Sequence, residues 1–208
     1  MHQVRAGGPV GFDLDLTLID SRPAILAAWS ALARETGVCV DLAAVNGRLG
    51  VKLEDEVARW FPAAHRESAA ACYRRHYVQT APELTTPLPG AHDALAAVRS
   101  AGEPAVIITA KHPISVGPSL LAAGLQADDL FAHVHGPEKS AVLVRIGAAV
   151  YVGDTPADML AASAAHAYGV GVPTGSFSRE DLLAAGADVV LGSLREFPSW
   201  YAGLRGRP

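Results

Sequence analysis

Cysteine is nearly absent. The 208-residue chain has two, Cys39 and Cys72. They match no metal-binding spacing and are too few for a disulfide framework, so free or buried thiols in a reducing compartment are expected. Lysine is almost as scarce, with three, at positions 52, 111 and 139. The net charge of −4 gives no electrostatic reason to expect nucleic acid or an anionic membrane as partner. No apolar run reaches about 18 residues, so no transmembrane helix is expected. The opening stretch MHQVRAGGPVGF lacks the apolar centre of a signal peptide. Together these absences predict a cytoplasmic protein.

Half of the residues are apolar and 18% are charged, which suits a well-packed fold. The length allows one α/β domain with a small insert. Short apolar runs at 9–13, 105–109, 148–153, 167–172 and 188–191 do not alternate, as expected of strands covered on both faces. A weaker run lies at 131–134. Helical patterns separate them, with Ala91, Ala94, Leu95 and Val98 on one face of a helix. Capping boxes are expected at Thr155 with Asp158 and at Ser178 with Asp181. This alternation predicts a doubly wound, mainly parallel, Rossmann-like α/β sheet. From about residue 22 to 79 no strand is expected. Ala-rich segments at 24–35, 53–60 and 63–77 read as helices, and Pro62 and APELTTPLPG (81–90) punctuate them. The expected division is a core at 1–20 and 86–208 with a helical insert at 21–85. Gly117-Pro118 should kink or delay the helix after Thr109.

The stretch VGFDLDLTLID ends an apolar strand in two carboxylates, Asp13 and Asp15. In a strand they would point the same way. Like charges held together require a proton or a cation between them, and a hard cation such as Mg²⁺ takes oxygen ligands and substrate phosphates. A strand-ending turn is the simpler alternative. Later strands end in Thr109 and in Gly153-Asp154, followed by TPAD, and Lys139 follows a short loop. A hydroxyl and an ammonium can bind phosphate oxygens while carboxylates hold the metal. Singly, Thr109 reads as an ordinary strand residue, Lys139 as a solvated lysine and Asp158 as the capping partner of Thr155.

Taken in order, these residues resemble the four motifs of the haloacid dehalogenase-like hydrolase superfamily across nearly the whole chain. Asp13-Leu14-Asp15-Leu16-Thr17 is similar to the first motif and Thr109 to the second. Lys139 matches the third, and Gly153-Asp154-Thr155-Pro156-Ala157-Asp158 the fourth. The insert resembles the small helical cap of the phosphoglycolate phosphatase and β-phosphoglucomutase branch. The resemblance implies Asp13 as nucleophile, forming an aspartyl-phosphate, and Asp15 as general acid and then base. It implies Mg²⁺ held by Asp13, the Asp15 backbone carbonyl and Asp154, with Asp158 contributing directly or through water. Thr109 and the amide of Ala110 would bind the phosphoryl group, and Lys139 would stabilise it. Asp at position 15 favours phosphate esters, since dehalogenases resembling this fold lack it. Leu16 and Leu18, Ala110 and Ser140 depart modestly from the usual motif neighbours.

Within the insert, Arg48 and Lys52 are candidates for an anionic part of the substrate, with Arg22 and Lys111 as further cations. Trp29, Trp60, Phe61, Cys72 and Tyr73 read as insert core. The expected activity is Mg²⁺-dependent hydrolysis of a small, phosphoglycolate-like phosphorylated metabolite. A β-phosphoglucomutase-like phosphotransferase and a non-catalytic phosphate-binding protein on the same fold are the alternatives. A receiver domain would use Asp, Thr and Lys similarly but is shorter and lacks the Asp-x-Asp-x-Thr pair. A monomer or homodimer is expected.

Overall fold

The computed structural model describes residues 7–206. Positions 1–6, part of the opening stretch and of the expected 1–20 segment, and positions 207–208 lie outside the described residues. Six strands form one parallel sheet in the order β5-β4-β1-β6-β7-β8. They are β1 (Val10–Phe12), β4 (Ala105–Ile108), β5 (Asp129–Phe131), β6 (Val150–Gly153), β7 (Tyr168–Gly171) and β8 (Val189–Val190). The remaining two, β2 (Ile19–Asp20) and β3 (Thr86–Pro87), form a separate antiparallel pair. Between them run the insert helices α1 (Arg22–Thr36), α2 (Leu42–Asn46), α3 (Leu53–Trp60) and α4 (Arg66–Leu84). The β2–β3 ladder thus stands where the insert leaves and rejoins the sheet. The other helices are α5 (Ala91–Ser100), α6 (Pro113–Ala123), α7 (Pro137–Ile146), α8 (Pro156–Ala164), α9 (Arg179–Ala184) and α10 (Phe197–Arg205).

All residues of β1, β4 and β6 are buried, which explains why these strands show no polar alternation. One apolar cluster fills the space between the sheet and α5, α6 and α10. In it Phe12 meets Phe197 at 5.4 Å between ring centres, and Phe197 stacks on Tyr201. A second cluster, from Ala24 to Ala81, lies wholly within the insert. Trp29, Phe61, Cys72 and Tyr73 belong to it, and Trp60 packs against it half-buried.

Both expected capping boxes are present, at Thr155/Asp158 and Ser178/Asp181. Three boundaries differ from the sequence reading. β5 pairs over 129–131, and the run expected at 131–134 has left the sheet by His133, whose φ is +61°. Helix α6 runs unbroken past Gly117-Pro118. Pro113 lies in its first turn, where a missing N–H costs nothing, and Pro118 orphans only the carbonyl of exposed Ile114, which water can satisfy. Helix α4 continues through Pro82 to Leu84, because buried Tyr77 and Ala81 anchor its last turns. The short α2, capped by Asp41 onto the amides of Ala43 and Ala44, has too few residues to show a helical period. Among the described residues no helix is long and apolar enough to cross a membrane.

Phe197 is fully buried and bridges α10 to β1. Phe197→Ala is expected to lower the unfolding free energy by about 3–5 kcal/mol, measured by chemical denaturation.

Candidate active site

The carboxyl ends of adjacent β4, β1 and β6 lie side by side at the point where the sheet order reverses, the usual ligand position in such sheets. Each end presents a polar residue: Thr109, Asp13 and Asp154. The Asp13 amide extends the ladder, donating to the Val152 carbonyl at 2.8 Å. Beyond it the chain folds on itself, with the amides of Leu18 and Ile19 both donating to the Leu14 carbonyl. Leu16 adopts φ +59° in this turn, a left-handed conformation costing a non-glycine residue about 1–2 kcal/mol. Its burial explains how the leucine is kept there.

Lys139, in the first turn of α7, ties the site together. Its buried ammonium donates to Asp13 Oδ1 at 2.9 Å and to Asp158 Oδ1 at 2.7 Å. Burial disfavours that charge, but Asp13 and Asp158 outweigh it and hold the lysine well above its ordinary range. Asp158 is fully engaged. Beside Lys139 it faces the Tyr151 hydroxyl at 3.1 Å, and its Oδ2 accepts from the Thr155 hydroxyl and amide. Asp154 accepts from the Thr17 hydroxyl at 3.0 Å. Burial pushes Asp13 up to about 7 in spite of Lys139. Burial, with the neighbouring Asp13 and Asp158, lifts Asp154 well above the ordinary carboxylate range. Oxygens of Asp13, Asp154 and Asp158 lie within 4.8 Å of one another, close enough to share a metal ion.

A cavity of about 360 Å³ opens over these strand ends. Its core-side wall includes Asp13, Asp15, Thr109, Ala110, Lys139 and Asp154. The insert supplies Trp29, Arg48, Lys52, Tyr73 and Tyr77. Trp29 and Tyr73 therefore serve both the insert core and the cavity wall. The expected cations are placed unevenly. Lys52 lines the cavity and is exposed. Arg48 lines it too, but its guanidinium forks onto Glu56 at 2.6 and 2.9 Å. Lys111 pairs with Asp15 at 2.8 Å, and that attraction with Tyr77 overcomes burial to raise its pKa. Arg22 binds the Thr174 carbonyl and lies near Asp20, outside the cavity wall. His112, His133 and His135 also line the cavity. A second group of ligand types, Glu35, Cys72 and His76, lies in the insert, where the Arg75 guanidinium already bonds Glu35 and Cys72.

Sequence reasoning gave four contributors no role of their own, although Gly153 and Thr17 stand in its motifs. Thr17 was visible inside the first motif, and Tyr151 as a lone polar-tipped aromatic in an aliphatic strand. Gly153 and Gly175 act by close approach: a Cβ on Gly153 would lie 2.4 Å from Asp158 Cβ, and one on Gly175 only 1.9 Å from Asp154 Oδ2. Gly175 carries no signal in its own neighbourhood.

Sheet, insert and strand-end carboxylates together define the class. The sequence model of the haloacid dehalogenase-like hydrolases matches residues 10–163, and the chain belongs to that family. It is an enzyme that groups with the family's phosphoric monoester hydrolases. Hexitol phosphatase A of Escherichia coli is 33% identical over 204 residues, covering 89% of this chain and 90% of that protein. A plasmid-borne phosphoglycolate phosphatase of Cupriavidus necator is 30% identical over 222 residues, covering 94% of each. A haloacid dehalogenase-like family protein of Streptococcus pneumoniae shares the fold, with a TM-score of 0.81 at 22% identity over 94% of this chain and 99% of that one.

Gly175→Ala must displace the Asp154 carboxylate. Hydrolytic activity on an aryl phosphate is expected to fall roughly 10–100-fold, with the melting temperature changing by only a few degrees. Unchanged activity would show that Asp154 tolerates the shift.

Proposed function

We propose that the chain is a Mg²⁺-dependent phosphatase of a small, phosphoglycolate-like metabolite, working through an aspartyl-phosphate on Asp13. The observation that carries the reading is the cavity in which Asp13, paired with Lys139, shares one wall with Asp15, Thr109 and Asp154. Asp13 attacks phosphorus as the ester P–O bond breaks, and Asp15 gives its proton to the departing alkoxide. Asp15 then takes a proton from water, whose oxygen attacks the same phosphorus and releases Asp13 and inorganic phosphate. Thr109 and the Ala110 amide hold phosphoryl oxygens, and Lys139 keeps Asp13 aimed and offsets the growing negative charge.

The donor set fits a divalent cation. Ionised, Asp13, Asp154 and Asp158 bring three negative charges against one ammonium, Lys139. Two negative charges are left, and without a cation burial would protonate a carboxylate. Asp13 and Asp154 would hold Mg²⁺ with the Asp15 backbone carbonyl, and Asp158 would border the site while orienting Lys139. When bound, the ion screens the phosphoryl oxygens from the nucleophile. The insert acts as a cap that closes the cavity and limits water. The phosphoglycolate phosphatase relative and the exposed, cavity-lining Lys52 support a substrate with an anionic group beside the ester, while Arg48 and Lys111 are committed to Glu56 and Asp15.

Asp13→Asn is expected to lower Mg²⁺-dependent turnover of p-nitrophenyl phosphate by roughly 10³-fold or more while the protein stays folded. Substantial residual turnover would sink the nucleophile assignment. A panel of phosphoglycolate, hexitol phosphates and sugar phosphates should yield free phosphate; an isomeric sugar phosphate would mean a mutase instead.

The pH dependence of metal binding follows from Asp13. Its folded pKa is raised from 3.8 to about 7, so the metal-free fold holds an extra proton between those values and loses stability from this group as pH rises through them. Mg²⁺ must displace that proton below about 7. Thermal shift with Mg²⁺ should be large at pH 8 and small at pH 5, and an equal shift at both would contradict this site.

A further inference from the structure

The mechanism above leaves one buried charge without a task. Lys111 follows the phosphoryl-binding Thr109-Ala110 pair, yet its ammonium has partners of its own. It meets Asp15 at 2.8 Å and the Tyr77 hydroxyl at 2.8 Å. Asp15 Oδ1 is itself buried and has no hydrogen-bond partner among the described residues, so the Lys111 ion pair is what holds it. The Asp15 side chain is 28% exposed, so its opening to the cavity lies away from Oδ1.

Proton counting fixes the direction of the chain behind Lys111. Ser119 spends its one hydroxyl proton on the Ser115 carbonyl at 2.9 Å. Its oxygen must therefore accept from Tyr77, 3.0 Å away. That uses the only proton of Tyr77 and leaves its lone pairs for Lys111. The order is Lys111 to Tyr77 to Ser119 to the Ser115 carbonyl, with no group left over. Tyr77 belongs to α4 of the insert, whereas Lys111, Ser119 and Ser115 belong to the core.

We propose that Lys111 is a positioning residue for Asp15, and that Tyr77 makes this positioning conditional on the insert being seated on the core. The proposal rests on the phosphatase reading above. Pinning Oδ1 leaves the other carboxylate oxygen to carry the proton toward the departing alkoxide. Lifting α4 away removes the oxygen that orients Lys111, and Asp15 loses its aim. The site would thus be assembled for proton transfer only when the insert is closed over a bound substrate.

Leaving-group chemistry provides the test. p-Nitrophenolate departs with little need of a proton, whereas an alkoxide needs one. In Lys111→Met, kcat/KM for a hexitol phosphate, whose leaving alcohol is uncharged, is expected to fall about 100-fold. For p-nitrophenyl phosphate it should fall less than about 5-fold. Asp15→Asn sets the reference pattern for the same two substrates. Lys111→Arg should recover part of the alkyl activity, and Tyr77→Phe should follow Lys111→Met in direction with a smaller loss. Equal losses on both substrates would make Lys111 merely structural. A rise in KM confined to substrates with a second anionic group would make it a substrate anchor. Either result overturns the proposal. Because Asp13-dependent turnover of the aryl phosphate is measured separately, failure of the phosphatase reading stays distinguishable from failure of this one.

Discussion

Lys139 is the interaction on which the rest of the site depends. A buried ammonium is costly alone, and so is each buried carboxylate. Joined as Asp13–Lys139–Asp158 they satisfy one another, and removing any member strands charge inside the protein at a typical cost of about 3–5 kcal/mol. The constraint reaches outward. Asp158 must sit against the backbone of β6, which leaves no room for a side chain at Gly153. Tyr151 lies beneath, with its ring 5.7 Å from the ammonium and its hydroxyl near both Asp158 and the Ile108 carbonyl. Thr155 holds the far oxygen of Asp158 while capping α8. Placing one lysine therefore fixes the mutual positions of β1, β4, β6, α7 and α8.

The topology makes this economical. With β1 between β4 and β6, three consecutive strand ends deliver Asp13, the Thr109 hydroxyl and the Asp154 carboxylate without long loops. Short elements suffice because these three strands are buried throughout. The insert has its own apolar cluster and supplies the opposite wall of the cavity. The two walls of the cavity thus belong to separately packed parts, joined through β2–β3 and the contact of α4 with α6.

The sheet and the carboxylate cluster were legible in the sequence because both impose local rules. Buried parallel strands must be uniformly apolar, and the polar residues of a strand-end site must follow close behind them. Asp13, Asp15, Thr109 and Asp154 obey that rule, and Lys139 lies one short loop beyond another strand. What escaped depends on partners distant in sequence. Nothing in the neighbourhood of Lys111 shows that it turns to Asp15 instead of to a substrate. Nothing around Arg48 reveals the fork onto Glu56, although the two are eight residues apart. Gly175 matters only because Asp154 lies against it. The ends of β5 and α4 were misjudged for a related reason: tertiary contacts at His133, Tyr77 and Ala81 override local turn and proline signals.

The separation of the site along the chain has a consequence for biosynthesis. Asp13 leaves the ribosome early, but its partner Lys139 follows 126 residues later, and Asp15 likewise waits for Lys111. Through most of translation β1 has neither its ammonium nor β6 beside it, and its paired carboxylates are best left in water. The insert, with its self-contained cluster, is complete by Leu84 and can acquire order first. The chain is thus made in an order that disfavours a premature charged core: Asp13 is buried only once the residue that neutralises it has been synthesised.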